Sequence, residues 1–330
     1  VSLSVGTMEE GWARTSLLLV GGATLLYWLV GLLWNIAHLF RCFIWARLFK
    51  GQPWTTRFGQ WAVVTGASDG IGKAYVHKLA ARGMNVVLIA RNKDKLDRVA
   101  QYVRSEYGIE TSVVIADFGD GQSIYGNIAK ELEGKDIGVL VNNVGVSGQL
   151  NRFFHEYEEK PMWDIMNINV ANVPAVTKIV LPGMLQRKRG VIINIGSMAS
   201  VMPMPTVAMY CASKAFVDFF SQALSAECEG TGVLVQGVHP GLVDSNMTKT
   251  YKDHTDMGNL PSVLFPTADV YVDSALATVG HTDYTHGTLG HSLTRVMMLF
   301  TKALPFNIGN KVMLKEAIKT REVLEKNMKT

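Results

Sequence analysis

Tyr210 and Lys214 stand four residues apart, the spacing that sets two side chains on one face of a helix, and no other Tyr-x-x-x-Lys occurs in the chain. A phenol with its ordinary pKa of ~10 is a poor acid at neutral pH. A neighbouring ammonium and an oxidised nicotinamide both favour the anion, which brings the group into range for proton transfer to or from an alcohol oxygen. Ser197, thirteen residues upstream, can donate a hydrogen bond to the same oxygen and stabilise the charge that grows there as hydride reaches the carbon. Taken singly, the pair could arise by chance, Ser197 could serve a turn, and Lys214 could sit on a solvated helix face. Their joint spacing argues against those separate readings, and a phenol, an ammonium and a hydroxyl so grouped suit proton transfer at an alcohol oxygen.

Hydride chemistry needs a carrier, and one segment has the composition to hold it. A short apolar run, Trp61–Thr65, leads directly into Gly66-Ala67-Ser68-Asp69-Gly70-Ile71-Gly72, after which a helical pattern begins. Glycines permit positive φ and close backbone approach, and the N–H groups and dipole of a new helix attract a pyrophosphate. At the end of the second apolar run, Ala90-Arg91 stands where NAD-using enzymes place an acid for the ribose 2′-hydroxyl. A guanidinium after a neutral residue suits a 2′-phosphate, so NADPH/NADP+ is expected rather than NAD, although Arg91 alone could be a surface arginine.

The elements that must position these groups alternate along the chain. The apolar, β-branched runs Trp61–Thr65, Asn85–Ala90, Thr111–Ala116, Gly138–Val141, Gly190–Ile195 and Gly232–Val238 read as buried strands. Helical spacing covers Gly72–Arg82, Asp94–Tyr107, Ile124–Leu132 and about 162–187 and 206–229. Such βα alternation predicts an α/β fold, an open doubly wound parallel sheet with helices on both faces and its ligand at the carboxyl ends of the strands.

With the G-x-x-x-G-x-G turn, Asn142-Asn143-Val144-Gly145 after the fourth strand, Ser197 after the fifth and Tyr210-x-x-x-Lys214 in order, the chain resembles the short-chain dehydrogenase/reductase family over about residues 58–250. The resemblance implies a Rossmann-type single domain and a catalytic set of Asn169, Ser197, Tyr210 and Lys214. Asn169 would hold a water beside the lysine; Asn167 is the competing assignment, and the valine after Asn169 favours the latter. Asp117 matches the family's adenine-side acid, Asn143 lies in the loop lining the ribose, and Pro240, Gly241, Val243 and Ser245 match the nicotinamide-side loop. Ser245 stands where threonine is commoner, and it keeps the hydroxyl. Leu181-Pro182-Gly183-Met184 and Phe216–Gln222 narrow the likeness to the hydroxysteroid 17β-dehydrogenases of types 3 and 12, the latter group including the very-long-chain 3-oxoacyl-CoA reductases. This likeness implies a lipophilic ketone as substrate, either an acyl-CoA thioester or a 17-keto steroid. The related hydroxysteroid dehydrogenase-like proteins lack the catalytic tyrosine, so Tyr210 argues against a silent scaffold. An NAD-linked steroid alcohol dehydrogenase remains a further alternative. Family members often dimerise, which makes a homodimer an open possibility.

Hydrophobic residues make up 48% of the chain and mean hydropathy is +0.14, a surplus concentrated at one end. Residues 15–40 contain no Asp, Glu, Lys or Arg, and about 20 apolar residues suffice to cross a bilayer. A retained anchor, spanning about 16–34 within a segment of residues 1–50, is favoured over a signal peptide, whose apolar core is shorter and is followed by small residues. The catalytic domain then comprises residues 51–330. Arg41, Arg47 and Lys50 predict that everything after residue 41 faces the cytosol, and the resemblance implies the endoplasmic reticulum membrane.

Three cysteines at no metal-ligand spacing predict neither a metal site nor a disulfide framework, and a net charge of +4 without a basic run gives nucleic-acid binding no support. Segments 146–161 and 246–266 follow strand ends and are expected to wall and cover a pocket. Met202, Met204, Met247, Met257 and Leu264 are candidates for an apolar cavity, or else core filler. Val296–Phe300, with Leu304 and Phe306, is too short to span; packing against the domain is expected, with contact at a membrane surface as the alternative.

Overall fold

The computed structural model describes residues 2–45, 52–149, 151–249, 260–303 and 308–327. The chain divides into two compact units, residues 1–49 and 50–330. The first is a helix, Ser2–Phe40, followed by a π-helical turn, Arg41–Trp45. Within it, Arg14–Gly31 has a mean hydropathy of 1.3 and none of it is buried, so it is long and apolar enough to cross a membrane.

The second unit is built on a seven-stranded sheet, all of whose pairings are parallel, in the order β3-β2-β1-β4-β5-β6-β7. The strands are β1 (Trp61–Thr65), β2 (Asn85–Ala90), β3 (Thr111–Ile115), β4 (Ile137–Asn142), β5 (Gly190–Ile195), β6 (Val233–Val238) and β7 (Tyr284–Thr285). Six of these were expected from their apolar runs. β7 was not, because two residues carry no periodicity; it pairs only through Gly237–Tyr284 and Val238–Thr285.

Side chains alternate between two cores, which is why the strands read as unbroken apolar runs. Val64, Leu88, Val141 and Ile193 pack under helices Gly70–Ala80, Lys93–Tyr107 and Ala268–Ala277. Val63, Ile89, Leu140 and Ile192 pack under Tyr125–Leu132, Asn172–Arg187 and Ala208–Glu227. Local signals stop and start these helices. Asn92 caps Lys93–Tyr107 by accepting from Lys95 N at 2.9 Å, and Gly108, at φ 65°, ends it in the left-handed region that favours glycine.

The order reverses between β1 and β4, so a crevice opens at their carboxyl ends where ligands of such sheets bind. The glycine turn follows β1 and the segments carrying the catalytic candidates follow β4 and β5. The apolar segment Val296–Phe300 lies in a helix, Leu289–Ala303, but Val296, Met297 and Phe300 are exposed rather than packed against the domain. Leu304 and Phe306 fall outside the described residues, as do Met257 and the rest of 250–259 within the expected lid between 246 and 266.

Candidate active site

The turn after β1 is built so that only glycine fits. Gly66 has φ +66°, and a Cβ there would lie 2.9 Å from both Asn143 Nδ2 and Val144 Cα. A Cβ on Gly72 would meet Gly66 O at 2.2 Å, so the helix can start this close to the strand only without a side chain. Gly70, at φ +51°, would carry its Cβ within 3.3 Å of Ser245 Cβ, which brings the turn and the loop after β6 together. Asp69 caps the new helix, accepting from Gly70 N at 2.8 Å and from Lys95 Nζ at 2.9 Å, and Asn246 donates to the same carboxylate. Burial raises its pKa, but the bonds from Lys95 and Gly70 outweigh this and hold the carboxyl below its usual range.

Asn143 does not point its amide into the crevice. Its Nδ2 donates to Thr65 O at 2.9 Å, and its backbone N–H and that of Val144 donate to Thr65 Oγ1 at 2.9 and 3.1 Å. It therefore ties the β4 loop to the glycine turn. Arg91 follows β2, 75% of its side chain exposed, with Nη1 3.7 Å from Asp117 Oδ2. Asp117 also accepts from Gly119 N at 2.9 Å, and both residues line a cavity of about 580 Å³ beyond the ends of β2 and β3. A second cavity, of about 450 Å³, puts Lys73, Lys95 and Arg98 around Ser68. Lys95 escaped the sequence reading, although basic residues at 91, 93 and 95 were a visible signal.

The catalytic candidates converge at the ends of β4 and β5. Ser197 caps a short 3₁₀ turn by accepting from Ala199 N at 3.1 Å, and its hydroxyl stands close enough to the Tyr210 phenol to favour the anion. Burial pushes Tyr210 up from its ordinary pKa, and the Ser197 hydroxyl opposes that rise. Lys214 Nζ lies 5.8 Å from the Tyr210 ring centroid and donates to Ile195 O at 3.1 Å. Loss of hydration brings this ammonium down to about 8. It backs onto the β4 loop, since a Cβ on Gly145 would be 3.5 Å from both Nζ and Asn169 Oδ1.

Asn169 is buried in a π-helical turn, Met166–Ala171, of the kind that collects at functional sites. Its amide clamps Val146, accepting from the backbone N–H and donating to the carbonyl, each at 2.8 Å, and also donates to Ser213 Oγ at 3.1 Å. The alternative, Asn167, donates instead to Gly119 O at 3.2 Å.

A buried polar ladder holds the Tyr210 helix to the sheet. Asn142 Nδ2 donates to Asn194 Oδ1 at 2.8 Å and to Thr177 Oγ1 at 3.0 Å; Asn194 Nδ2 donates to Ser221 Oγ at 3.0 Å. The sequence reading missed Asn194 and Ser221, whose only signal was polarity inside apolar runs. It also missed His291, which accepts from Gly241 N at 3.3 Å and lies 3.1 Å from Leu242 O, and Thr248, which donates to Val243 O at 2.7 Å. Both brace the loop carrying Pro240, Gly241, Val243 and Ser245. Pro240 O in turn accepts from Met198 N at 2.9 Å, joining that loop to the Ser197 turn.

The residues present fit a nicotinamide dinucleotide on two observations. The glycine turn presents helix N–H groups where side chains are excluded, and the buried Lys214 ammonium, with three donors, has one recorded acceptor among the described residues.

Comparison with known proteins agrees with this geometry. A family model described as short chain dehydrogenase matches residues 60–256. The chain is 48% identical to a very-long-chain 3-oxoacyl-CoA reductase from Anas platyrhynchos over 71% of its own length and 73% of the relative's. It is 40% identical to a human protein named inactive hydroxysteroid dehydrogenase-like protein 1, over 79% of each chain. Among solved structures, a 7β-hydroxysteroid dehydrogenase superposes with a TM-score of 0.72 at 26% identity, covering 81% of this chain and 99% of the other. A short-chain dehydrogenase from Sphingobium yanoikuyae in complex with NADPH gives 0.61 at 28% identity, covering 74% and 95%.

Proposed function

The chain belongs to the short-chain dehydrogenase family of oxidoreductases, which act on CH–OH groups, and from that premise we propose that it reduces a ketone on a lipophilic substrate with NADPH. The substrate is a very-long-chain 3-oxoacyl-CoA or a 17-keto steroid. The observation that carries the reading is the convergence of Ser197, Tyr210, Lys214 and Asn169 beside a glycine turn, with Arg91 directly after Ala90, where an acid would select NAD. Relatives bearing the reductase name support the substrate class.

Ser68, Gly70, Ile71 and the Asp69-capped helix start hold the pyrophosphate in this reading, and Arg91 with Lys95 and its basic neighbours takes the 2′-phosphate. Asp117 lies on the adenine side, and Ser245 and Val243 line the nicotinamide side. The chemistry that NADPH would supply when held there is a hydride for the substrate carbon. The Tyr210 hydroxyl delivers a proton to the carbonyl oxygen as charge grows there, while Ser197 donates a hydrogen bond to the same oxygen. Lys214 holds positive charge close to the phenol and so stabilises the phenolate left behind. Asn169 fixes the loop at Val146 and the helix at Ser213, which keeps Lys214 and Tyr210 in register.

Residues 14–31 anchor the enzyme in the endoplasmic reticulum membrane with residues 51–330 in the cytosol, next to the phase that dissolves such substrates. A long-chain 3-oxoacyl-CoA and a 17-keto steroid offered to the purified full chain are expected to drive NADPH oxidation with at least one, and Tyr210→Phe to abolish it. A non-catalytic reading draws on the relative named inactive. NADPH binding without turnover across a broad ketone panel is the result that would establish it instead.

A further inference from the structure

Helix Leu289–Ala303 is amphipathic in the inverted sense. His291, Arg295 and Lys302 fall on the side turned to the protein. His291 braces the loop after β6, Arg295 Cζ sits 5.4 Å from the Tyr284 ring centroid, and Lys302 Nζ donates to Val201 O at 2.9 Å. Leu289, Leu293, Val296, Met297 and Phe300, at the i, i+4, i+7, i+8, i+11 repeat of one helix face, point outward, Met297 and Phe300 with 70% and 72% exposure. Water alone offers such a helix no reason to present its apolar side.

The stripe does not end with the helix. Gly290 packs against Val263, whose carbonyl a Cβ there would meet at 2.0 Å, and Val263 and Leu260 are themselves exposed. Those two residues belong to the segment after the 240–249 loop that flanks the proposed substrate pocket. On the next helix, Ile308–Asn327, Lys311, Lys315 and Lys319 repeat every four residues and are exposed. It packs close to the first, a Cβ on Gly309 falling 2.4 Å from Thr301 O.

We propose that this face, the outward apolar stripe of Leu289–Ala303 with Leu260 and Val263, beds into a lipid surface, with the row of lysines on Ile308–Asn327 meeting anionic headgroups. An outward apolar stripe followed by a helix with exposed lysines has the composition of segments that lie in the membrane interface, and long lysines reach headgroups while their stems stay in apolar surroundings. The inference rests on the membrane-anchored reading above, under which the bilayer is within constant reach of the domain. It adds that the rim of the substrate pocket lies at the lipid boundary, so that a lipophilic ketone passes in without crossing water.

Depth can be measured on the full chain, whose three native cysteines are buried. Met297→Cys and Phe300→Cys, and Tyr102→Cys as an exposed reference on another helix, would each carry a nitroxide in vesicles of phosphatidylcholine and phosphatidylserine. The expected result is relaxation by oxygen over a water-soluble nickel complex at 297 and 300, and the reverse at 102. Nickel access at 297 and 300 matching that at 102 overturns the proposal. So does spin–spin broadening at these sites that disappears on dilution with unlabelled chain, which would assign the face to a second copy. This readout needs no turnover, so absence of ketone reduction with the depth pattern intact would defeat the reductase reading alone. Where turnover is present, Met297→Glu with Phe300→Glu should raise KM for a bilayer-dissolved ketone roughly tenfold, consistent with the cost of placing charge in lipid, and leave a water-soluble short-chain ketone unaffected.

Discussion

The two sides of the crevice are made rigid in different ways. On the nucleotide side, the turn after β1 is shaped by what is missing: Gly66, Gly70 and Gly72 let backbone approach backbone, and Asn143 closes the turn from outside. On the catalytic side, beyond β4 and β5, position is set by buried amides and hydroxyls, the Asn142–Asn194–Ser221 ladder and the Asn169 clamp. A backbone cradle recognises phosphates that every such cofactor shares, whereas a proton donor must be held to a fraction of an ångström by side chains that can do nothing else. The two sides should therefore fail differently when altered.

The largest separation is expected from Tyr210→Phe. It should lower kcat about 10³-fold, the scale of a lost general acid, while NADPH affinity by fluorescence titration stays within about twofold. Equal loss of binding and turnover would erase the distinction. Gly72→Ala should act in the opposite sense, removing NADPH binding and lowering stability by about 3 kcal/mol in denaturant titration, because the added Cβ would meet the Gly66 carbonyl at 2.2 Å and press on the Asn143 amide that closes the turn. Asn194→Ala leaves the amide of Asn142 and the hydroxyl of Ser221 facing an apolar gap. It should lower stability by about 2 kcal/mol and reduce kcat more than NADPH affinity. Arg91→Ala touches an exposed side chain, so its effect is narrower: KM for NADPH about tenfold higher, with KM for NADH unchanged.

The smallest effect is a pH limb. Lys214 stands at about 8 in the free protein against an ordinary 10.5. Its ammonium is therefore lost above about pH 8, and kcat/KM for reduction should decline there. Lys214→Arg should lower the rate and flatten that limb, since a guanidinium keeps its charge. The stability sign is the reverse. Between about 8 and 10.5 the unfolded chain binds more protons, so the ligand-free protein becomes more stable as pH rises through that window. At the acid end, His239, buried behind Ser197 and held to about 4, contributes stability that is present above its ordinary 6.5 and lost as pH falls through 4.

How much of this was legible differs along the same line. The six long strands announced themselves because burial on both faces demands unbroken apolar runs, and the glycine spacing is readable because no other residue tolerates the backbone there. β7 was invisible at two residues, and His291, which braces the loop after β6, comes from a helix some fifty residues downstream. Asn143 shows the limit well. Its presence in the β4 loop was plain, but its amide turned out to serve the glycine turn, a partner 77 and 78 positions away in the chain.

By itself, the sequence determined the parallel α/β order and the anchor-length apolar helix, because these follow from periodicity, and it singled out Tyr210, Lys214 and Ser197 as candidates by short spacings, while Asn169 came only from the family resemblance. The tertiary structure alone decided the direction in which groups face. It buried Lys214 and so brought it to about 8, turned Asn169 toward Val146, and set the apolar side of Leu289–Ala303 outward. Solvation and orientation depend on which distant elements come to lie against a residue, and a linear pattern records only the neighbours along the chain.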